Sequence, residues 1–149
     1  MASGPRGREL LQGEIVTLAA SAARTASASG DWVYVGGERL AVCIVLDITA
    51  SATAAGDTLD VFIDASFDGT NSIANIAHFT QQAGNGSAAR YYAMIAPGFD
   101  TVTTTITSDA AAGVVRGTVI APYYRARWAL VDGGGADTSH TFSVVGYGV

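Results

Sequence analysis

The residue types that carry out catalysis are few in this chain and far apart. His78 and His140 are its only histidines. No serine has the flanking glycines of a nucleophile elbow, and no His-Glu-x-x-His or Walker pattern occurs. Because acid–base and nucleophilic catalysis need convergent groups, we predict that the protein is not an enzyme and that both histidines are hydrogen-bonded or solvated strand residues. A triad assembled from distant positions is the one catalytic arrangement that the sequence leaves open.

The single cysteine, Cys43, lies in the apolar run of residues 40–46. One cysteine excludes an intrachain disulfide and a Cys-rich zinc site. A cysteine among aliphatic neighbours usually behaves as a small hydrophobic side chain. We therefore predict that Cys43 is a small, buried hydrophobic residue.

An acidic cluster is the best candidate for a metal site. Asp57, Asp60, Asp64 and Asp68 are closely spaced, and Ca²⁺ prefers carboxylate oxygens. However, the spacing lacks the closing glutamate of an EF-hand loop, and Asp60 and Asp64 fall on the outward positions of an alternating strand. Glycine groups at 36–37 and 133–135 are not followed by the helix that a phosphate-binding loop needs. No metal and no cofactor is predicted.

Composition and charge restrict the class of protein. The chain has 149 residues, of which 49% are hydrophobic and 14% charged, so we expect one domain with a substantial core. The net charge is −5 and the eight basic residues are all arginine, which argues against general nucleic-acid binding. No apolar run is long enough to span a membrane, and arginine and glutamate occupy the start where a secretory signal would be apolar. We predict neither membrane insertion nor classical secretion.

The hydrophobic pattern predicts nine or ten short β-strands. Residues 39–49 are apolar on both faces, which is typical of a central strand covered on both sides. Residues 59–65 alternate as a half-buried strand with an acidic outer face. In residues 123–131 the alternation places Tyr124 and Trp128 in the core, and Arg125 and Arg127 toward solvent or a partner. The other predicted strands are 15–18, 31–35, 73–81, 91–95, 101–107, 113–121 and 141–147.

Turn signals separate these strands. Asp68-Gly69, Asn85-Gly86 and Pro97-Gly98 are typical of tight turns. Residues 19–30 have the alanine content of a helix but no large apolar residue to form a core-facing stripe, so we do not predict a helix there. Short strands with regular turns predict an all-β fold: a single antiparallel β-sandwich or jelly-roll-like domain over residues 14–149, with an extended N-terminal arm over residues 1–13.

Several strand patterns together resemble those of a known group of proteins. They are LDVFIDASFDG at 59–69, IAHFTQ at 76–81, RARW at 125–128 and TFSV at 141–144. The combination resembles small β-sandwich virion structural proteins of tailed bacteriophages. The resemblance implies a virion protein, made in the host cytoplasm, that decorates or cements the capsid by binding the major capsid protein or other virion proteins. It also implies a homo-oligomer, with a trimer favoured by analogy to the local threefold positions of a capsid.

Three groups of residues are predicted to form the interface. An N-terminal arm can order against a neighbour on binding, and a stripe of threonines can pack with little loss of rotamer entropy. The arginines of residues 123–131 share a face directed away from the core. The predicted interface residues are Arg6, Arg8, Leu10, Leu11, Thr101, Thr103, Thr105, Arg125 and Arg127.

Two other functions fit the same pattern. A tail-tube or head–tail connector component is one, although many such proteins carry a helix that this sequence does not predict. A carbohydrate-binding adhesion module is the other, with exposed aromatic side chains as the sugar platform. The candidates for that platform are Phe62, Tyr91, Tyr92 and Tyr123.

Overall fold

A computed structural model describes residues 15–36, 41–96, 112–115, 121–134 and 137–148. Eleven β-strands and no helix occur in these residues. The all-β prediction is confirmed. The strands are β1 (Ile15–Arg24), β2 (Ala28–Ser29), β3 (Val33–Tyr34), β4 (Val42–Ala50), β5 (Thr58–Ser66), β6 (Ile73–His78), β7 (Gln82–Ala83), β8 (Ala89–Ile95), β9 (Val114–Val115), β10 (Tyr123–Val131) and β11 (His140–Gly148).

Two antiparallel sheets pack against each other as a sandwich. The four-stranded sheet has the order β1-β11-β4-β8. The seven-stranded sheet has the order β2-β10-β5-β6-β9, with β3 also paired to β10 and β7 to β5. Every strand pairing is antiparallel. The order of the strands places β4 and β11 at the centre of one sheet, and β10 and β5 near the centre of the other.

Alternating side chains build the core between the sheets. On β4 the apolar residues at even-numbered positions, Val42 to Ile48, are buried. On β10 the predicted inner face is confirmed, since Tyr124 and Ala126 are fully buried and Trp128 nearly so. Trp128 meets Phe142 of the opposite sheet edge-to-face, with ring centroids 5.6 Å apart. The contact joins the two sheets, because the two residues lie on β10 and β11.

The alanine-rich segment forms part of a long strand rather than a loop. β1 continues from Ile15 to Arg24 and pairs with β11, with two irregularities in its register. The pairing provides the backbone with hydrogen-bond partners, so strand formation does not require large side chains there. Arg24 is the last residue of β1, and its guanidinium lies 4.6 Å from the centroid of the Trp128 ring and 4.2 Å from that of the Phe142 ring. The absence of a helix was predicted correctly, but the predicted end of this strand was wrong.

Two of the predicted turns lie in the described residues and have the expected geometry. Gly69 and Gly86 have φ values of 76° and 71°, which glycine adopts without a steric penalty. The turn at Pro97-Gly98 lies outside the described residues. So do the arm of residues 1–13, with Arg6, Arg8, Leu10 and Leu11, and the threonine stripe with Thr101, Thr103 and Thr105.

Candidate interaction faces

The outer face of the four-stranded sheet carries apolar side chains across all four strands. Tyr147 pairs with Ile15 on one side and with Cys43 on the other, and Cys43 pairs with Met94. Residues paired across strands project to the same face, so these four side chains form one continuous row. We call it the first apolar row.

A second row lies directly beside the first. Val145 pairs with Thr17 and with Val45, and Val45 pairs with Tyr92. Tyr92 is 75% exposed and Met94 in the first row is 45% exposed. The two rows together form a surface of eight residues, of which only Thr17 is neither apolar nor aromatic. We call this surface the apolar face.

An ion pair bounds the apolar face at one end. In the third row Asp47 pairs with Ser143 and with Arg90, and the Arg90 Nη2 lies 3.0 Å from the Asp47 Oδ2. A depression of about 400 Å³ is lined by this ion pair together with Val45, Val145 and Tyr147 of the two apolar rows. The apolar face therefore has a polar rim, which is the usual arrangement at a protein interface.

The apolar face corrects one prediction from the sequence. Residues 39–49 were expected to be covered on both sides because both of their faces are apolar. Instead, β4 has one face in the core, whereas Cys43 and Val45 on the other are only half-buried. The neighbouring exposure of Tyr92 shows that the described part of the chain does not cover this side. The apolar residues on the outer face of β4 therefore form a surface that the described residues leave exposed.

The outer face of the seven-stranded sheet has a different chemistry. Asp64 on β5 has no solvent exposure, and its Oδ2 accepts hydrogen bonds from Arg125 Nε at 3.0 Å and Arg127 Nε at 3.4 Å. The backbone N–H of Asn75 donates to Oδ1 at 2.9 Å, and Arg127 also donates to the Asn75 side chain. One buried carboxylate therefore fixes two guanidinium groups.

Aromatic rings hold the same two guanidinium groups in place. Arg125 lies over Trp32, 4.5 Å from the ring centroid, and Arg127 lies over Phe62 at 4.3 Å. Phe62 is backed by the His78 ring, with centroids 4.2 Å apart. We call this surface, with Trp32, Tyr34, Phe62, Asp64, Tyr123, Arg125 and Arg127, the arginine face.

The arginine face refines two predictions from the sequence. Arg125 and Arg127 do point away from the core, with side chains 25% and 29% exposed. Asp64 also lies on the outer side of β5, but it is buried beneath the arginines. Its outward position agrees with the prediction, but the alternation of β5 shows only which side a residue occupies and not what covers it.

The two histidines have separate environments. His78 Nε2 lies 2.7 Å from Asp60 Oδ1, and Gln81 donates to the other oxygen of that carboxylate at 2.7 Å. His140 is fully buried. Its Nδ1 accepts a hydrogen bond from the Ala52 N–H at 3.5 Å, and its Nε2 has no hydrogen-bond partner among the residues that the structure describes. Burial lowers the pKa of His140, while the charges of Asp57 and Asp137 act in the opposite direction.

The four acidic residues considered for calcium point to different partners. Asp57 is buried and accepts the Gly133 N–H at 2.5 Å, Asp60 holds His78, and Asp64 holds the arginines. Asp68 accepts the N–H groups of Asn71 and Thr70, which hold its pKa well below the ordinary value. Among the described residues, no three His, Cys, Asp or Glu side chains are grouped so that they could hold a metal ion.

Two comparisons with known proteins, one with family models and one with curated proteins, gave no match. No protein-family model matches the chain, and no curated protein matches it. Within the described ranges, the chain also contains no helix with the length and hydropathy of a membrane span.

Proposed function

We propose that this chain is a non-enzymatic structural protein of a tailed-phage virion, a capsid decoration or cement protein that docks through its apolar face. The observation that carries the proposal is the pair of apolar rows that crosses all four strands of one sheet, from Ile15 and Thr17 to Met94 and Tyr92. Contiguous exposed apolar surface with a polar rim marks protein–protein contact sites.

The size of the apolar face suggests what occupies it. Four strands about 4.8 Å apart and two apolar rows about 7 Å apart give a surface of roughly 270 Å². A stable interface buries about 800 Å² on each partner, so this face alone is too small for a tight complex between two free proteins. On a lattice of identical shell subunits, many weak contacts made by a homo-oligomer add up. We therefore propose a repeating protein shell as the occupant, and a trimer as the docking unit.

The charge of the molecule supports a protein surface as the partner. The net charge is −5, which opposes binding to nucleic acid. The apolar rows offer few groups for polar recognition, and the rim contributes one ion pair between Asp47 and Arg90. An apolar centre with a charged rim favours another protein of matching shape.

The test compares binding of variants to phage particles that lack this protein. Tyr92→Asp and Met94→Asp place a charge in the apolar rows, so we expect either change to abolish co-sedimentation with the particles. Phe67→Asp is the matched control, since Phe67 is an exposed aromatic residue in the turn after β5 of the other sheet. The proposal fails if Tyr92→Asp and Met94→Asp bind as well as the unchanged protein, or if the unchanged protein does not bind.

The tail-tube and connector alternative makes a different prediction about assembly. Such components form hexameric rings, whereas a decoration protein at local threefold positions is expected to be a trimer. The mass of the purified protein measured by light scattering distinguishes the two. A ring of six copies would favour the alternative over capsid decoration.

A further inference from the structure

A surplus of positive charge is built into the arginine face. Arg125 and Arg127 share the single carboxylate of Asp64, whose two oxygens already accept hydrogen bonds from both arginines and from the Asn75 N–H. Two guanidinium groups share this one carboxylate, so Asp64 does not neutralise both of them. Among the described residues, the terminal nitrogens of Arg125 have no hydrogen-bond partner, and the side chain is 25% exposed.

The position of that charge is fixed before any ligand arrives. Nε of Arg125 is tied to Asp64 at 3.0 Å, and its guanidinium is stacked over Trp32 at 4.5 Å. A guanidinium whose plane is held in this way has its remaining N–H donors aligned for a planar carboxylate. Little side-chain entropy is lost when a ligand binds to a donor that is already ordered.

Aromatic rings lie directly beside the fixed cation. Tyr123 is two residues before Arg125 on β10, and it pairs with Tyr34 of β3. The two rings are 5.2 Å apart and tilted by 59°, and Tyr34 is 64% exposed. On its other side Tyr123 is supported by Gly69, where a Cβ atom would lie 3.2 Å from the ring. The result is an exposed ring on a supported base, next to a cation.

We propose that Tyr34, Tyr123 and Arg125 form a binding site for an acidic saccharide, in which the sugar ring stacks on Tyr34 and the sugar carboxylate accepts hydrogen bonds from Arg125. Aromatic side chains offer both an apolar face and a polar tip to such a ligand. The single surplus charge suits one carboxylate. The net charge of −5 on the whole chain disfavours a long polyanion.

This site is separate from the surface assigned to docking. The apolar face belongs to the four-stranded sheet and the arginine face to the seven-stranded sheet, with the core between them. A protein attached by its apolar face would therefore direct Tyr34 and Arg125 away from the surface to which it is attached. Variants on one face test one proposal without touching the other.

The experiment measures saccharide binding to the whole chain by calorimetry and by ligand-observed NMR. The probes are sialyllactose and tetragalacturonate, with lactose as the neutral counterpart and acetate as the simple anion. We expect at least one acidic saccharide to bind more tightly than both lactose and acetate. Arg125→Gln should weaken that binding about tenfold or more, because a hydrogen-bonded ion pair is lost, and Tyr34→Ala should weaken it by a similar factor.

The variants are chosen so that loss of folding cannot explain the result. In Arg125→Gln, Asp64 keeps Arg127 and the Asn75 N–H, and Tyr34→Ala removes an exposed ring. Tyr92→Ala on the apolar face is the matched control and should bind like the unchanged protein. The proposal is overturned if neither acidic saccharide binds at millimolar concentration, if acetate binds as tightly as the saccharides, or if both Arg125→Gln and Tyr34→Ala leave the affinity unchanged.

Discussion

Arg125 of β10 lies directly opposite Asp64 of β5, and its Nε is 3.0 Å from a carboxylate that has no contact with solvent. Arg127 occupies the next outward position of β10 and reaches the same oxygen. The relationship differs from that of Asp47 and Arg90 on the other sheet, which form a similar ion pair at the exposed rim. Comparing the buried carboxylate of Asp64 with the exposed carboxylate of Asp47 therefore separates the effect of burial on stability from the effect of charge.

Asp64→Asn is predicted to destabilise the protein much more than Asp47→Asn. The substitution removes the buried charge and replaces one acceptor oxygen with an NH2 donor that faces either the arginines or the Asn75 N–H, which should lower the free energy of unfolding by about 2–4 kcal/mol. The exposed pair should change it by less than about 1 kcal/mol. Urea denaturation of both variants measures the difference. Equal losses in the two variants would show that Asp64 has no special structural role.

Gly133→Ala is predicted to destabilise the loop cluster at one end of the sandwich. A Cβ atom on Gly133 would lie 2.3 Å from the backbone carbon of Gly56, so one of the two loops must move. Overpacking against backbone costs about 2–3 kcal/mol. Gly36→Ala is the control: Gly36 has a φ of 82° but open space around it, so only backbone strain of about 1 kcal/mol is expected. Thermal unfolding that ranks Gly36→Ala as the worse change would contradict this packing.

His140 is predicted to make the protein less stable in mild acid. Burial keeps the pKa of His140 below its ordinary value of 6.5 in the folded protein, whereas the unfolded chain has the ordinary value. Below pH about 6.5 the unfolded chain therefore binds a proton that the folded protein does not, and the free energy of unfolding falls by up to about 1.4 kcal/mol per pH unit until the folded pKa is reached.

The control for this pH dependence is His140→Gln, which removes the titrating group. Denaturation of both proteins between pH 7.5 and 5 should show a shallower pH dependence in the variant. An NMR titration that places the His140 pKa at or above 6.5 in the folded protein would contradict the prediction. The charges of Asp57 and Asp137, which act against burial, would then dominate.

The sequence was sufficient to predict the fold class and the central strands. β5 and β10 have clear two-residue alternation and β4 is a long apolar run, and the inner faces of all three strands are buried. Weakly patterned strands were harder to predict. β1 passes through alanines and serines whose strand structure depends on pairing with β11, and the two-residue strands β2 and β7 are defined by their partners. Long-range pairing of this kind leaves no local signal.

The candidate surfaces were predictable only in part. Arg125 and Arg127 were identified from alternation, and Tyr92 and Tyr123 from their type. Trp32 and Tyr34 were missed as partners, because their place beside Arg125 and Tyr123 depends on the pairing of β3 with β10. The apolar face was present in the sequence as the double-sided hydrophobicity of β4. It was interpreted as a covered strand, because sequence alone does not distinguish a covered face from one that awaits a partner.

Cys43 provides the most direct test of docking through the apolar face. It is the only cysteine in the chain, is partly exposed, and lies in the first apolar row between Tyr147 and Met94. Its rate of alkylation can be measured in the free protein and in the protein bound to phage particles. A matched probe with Cys43→Ser and Thr70→Cys places the only thiol in an exposed turn of the other sheet.

We predict that particle binding slows alkylation of Cys43 about tenfold or more, because the centre of an interface excludes water and reagent. The thiol at position 70 should keep its free rate. If Cys43 reacts equally fast in the free and the particle-bound protein, the apolar face is not the docking surface.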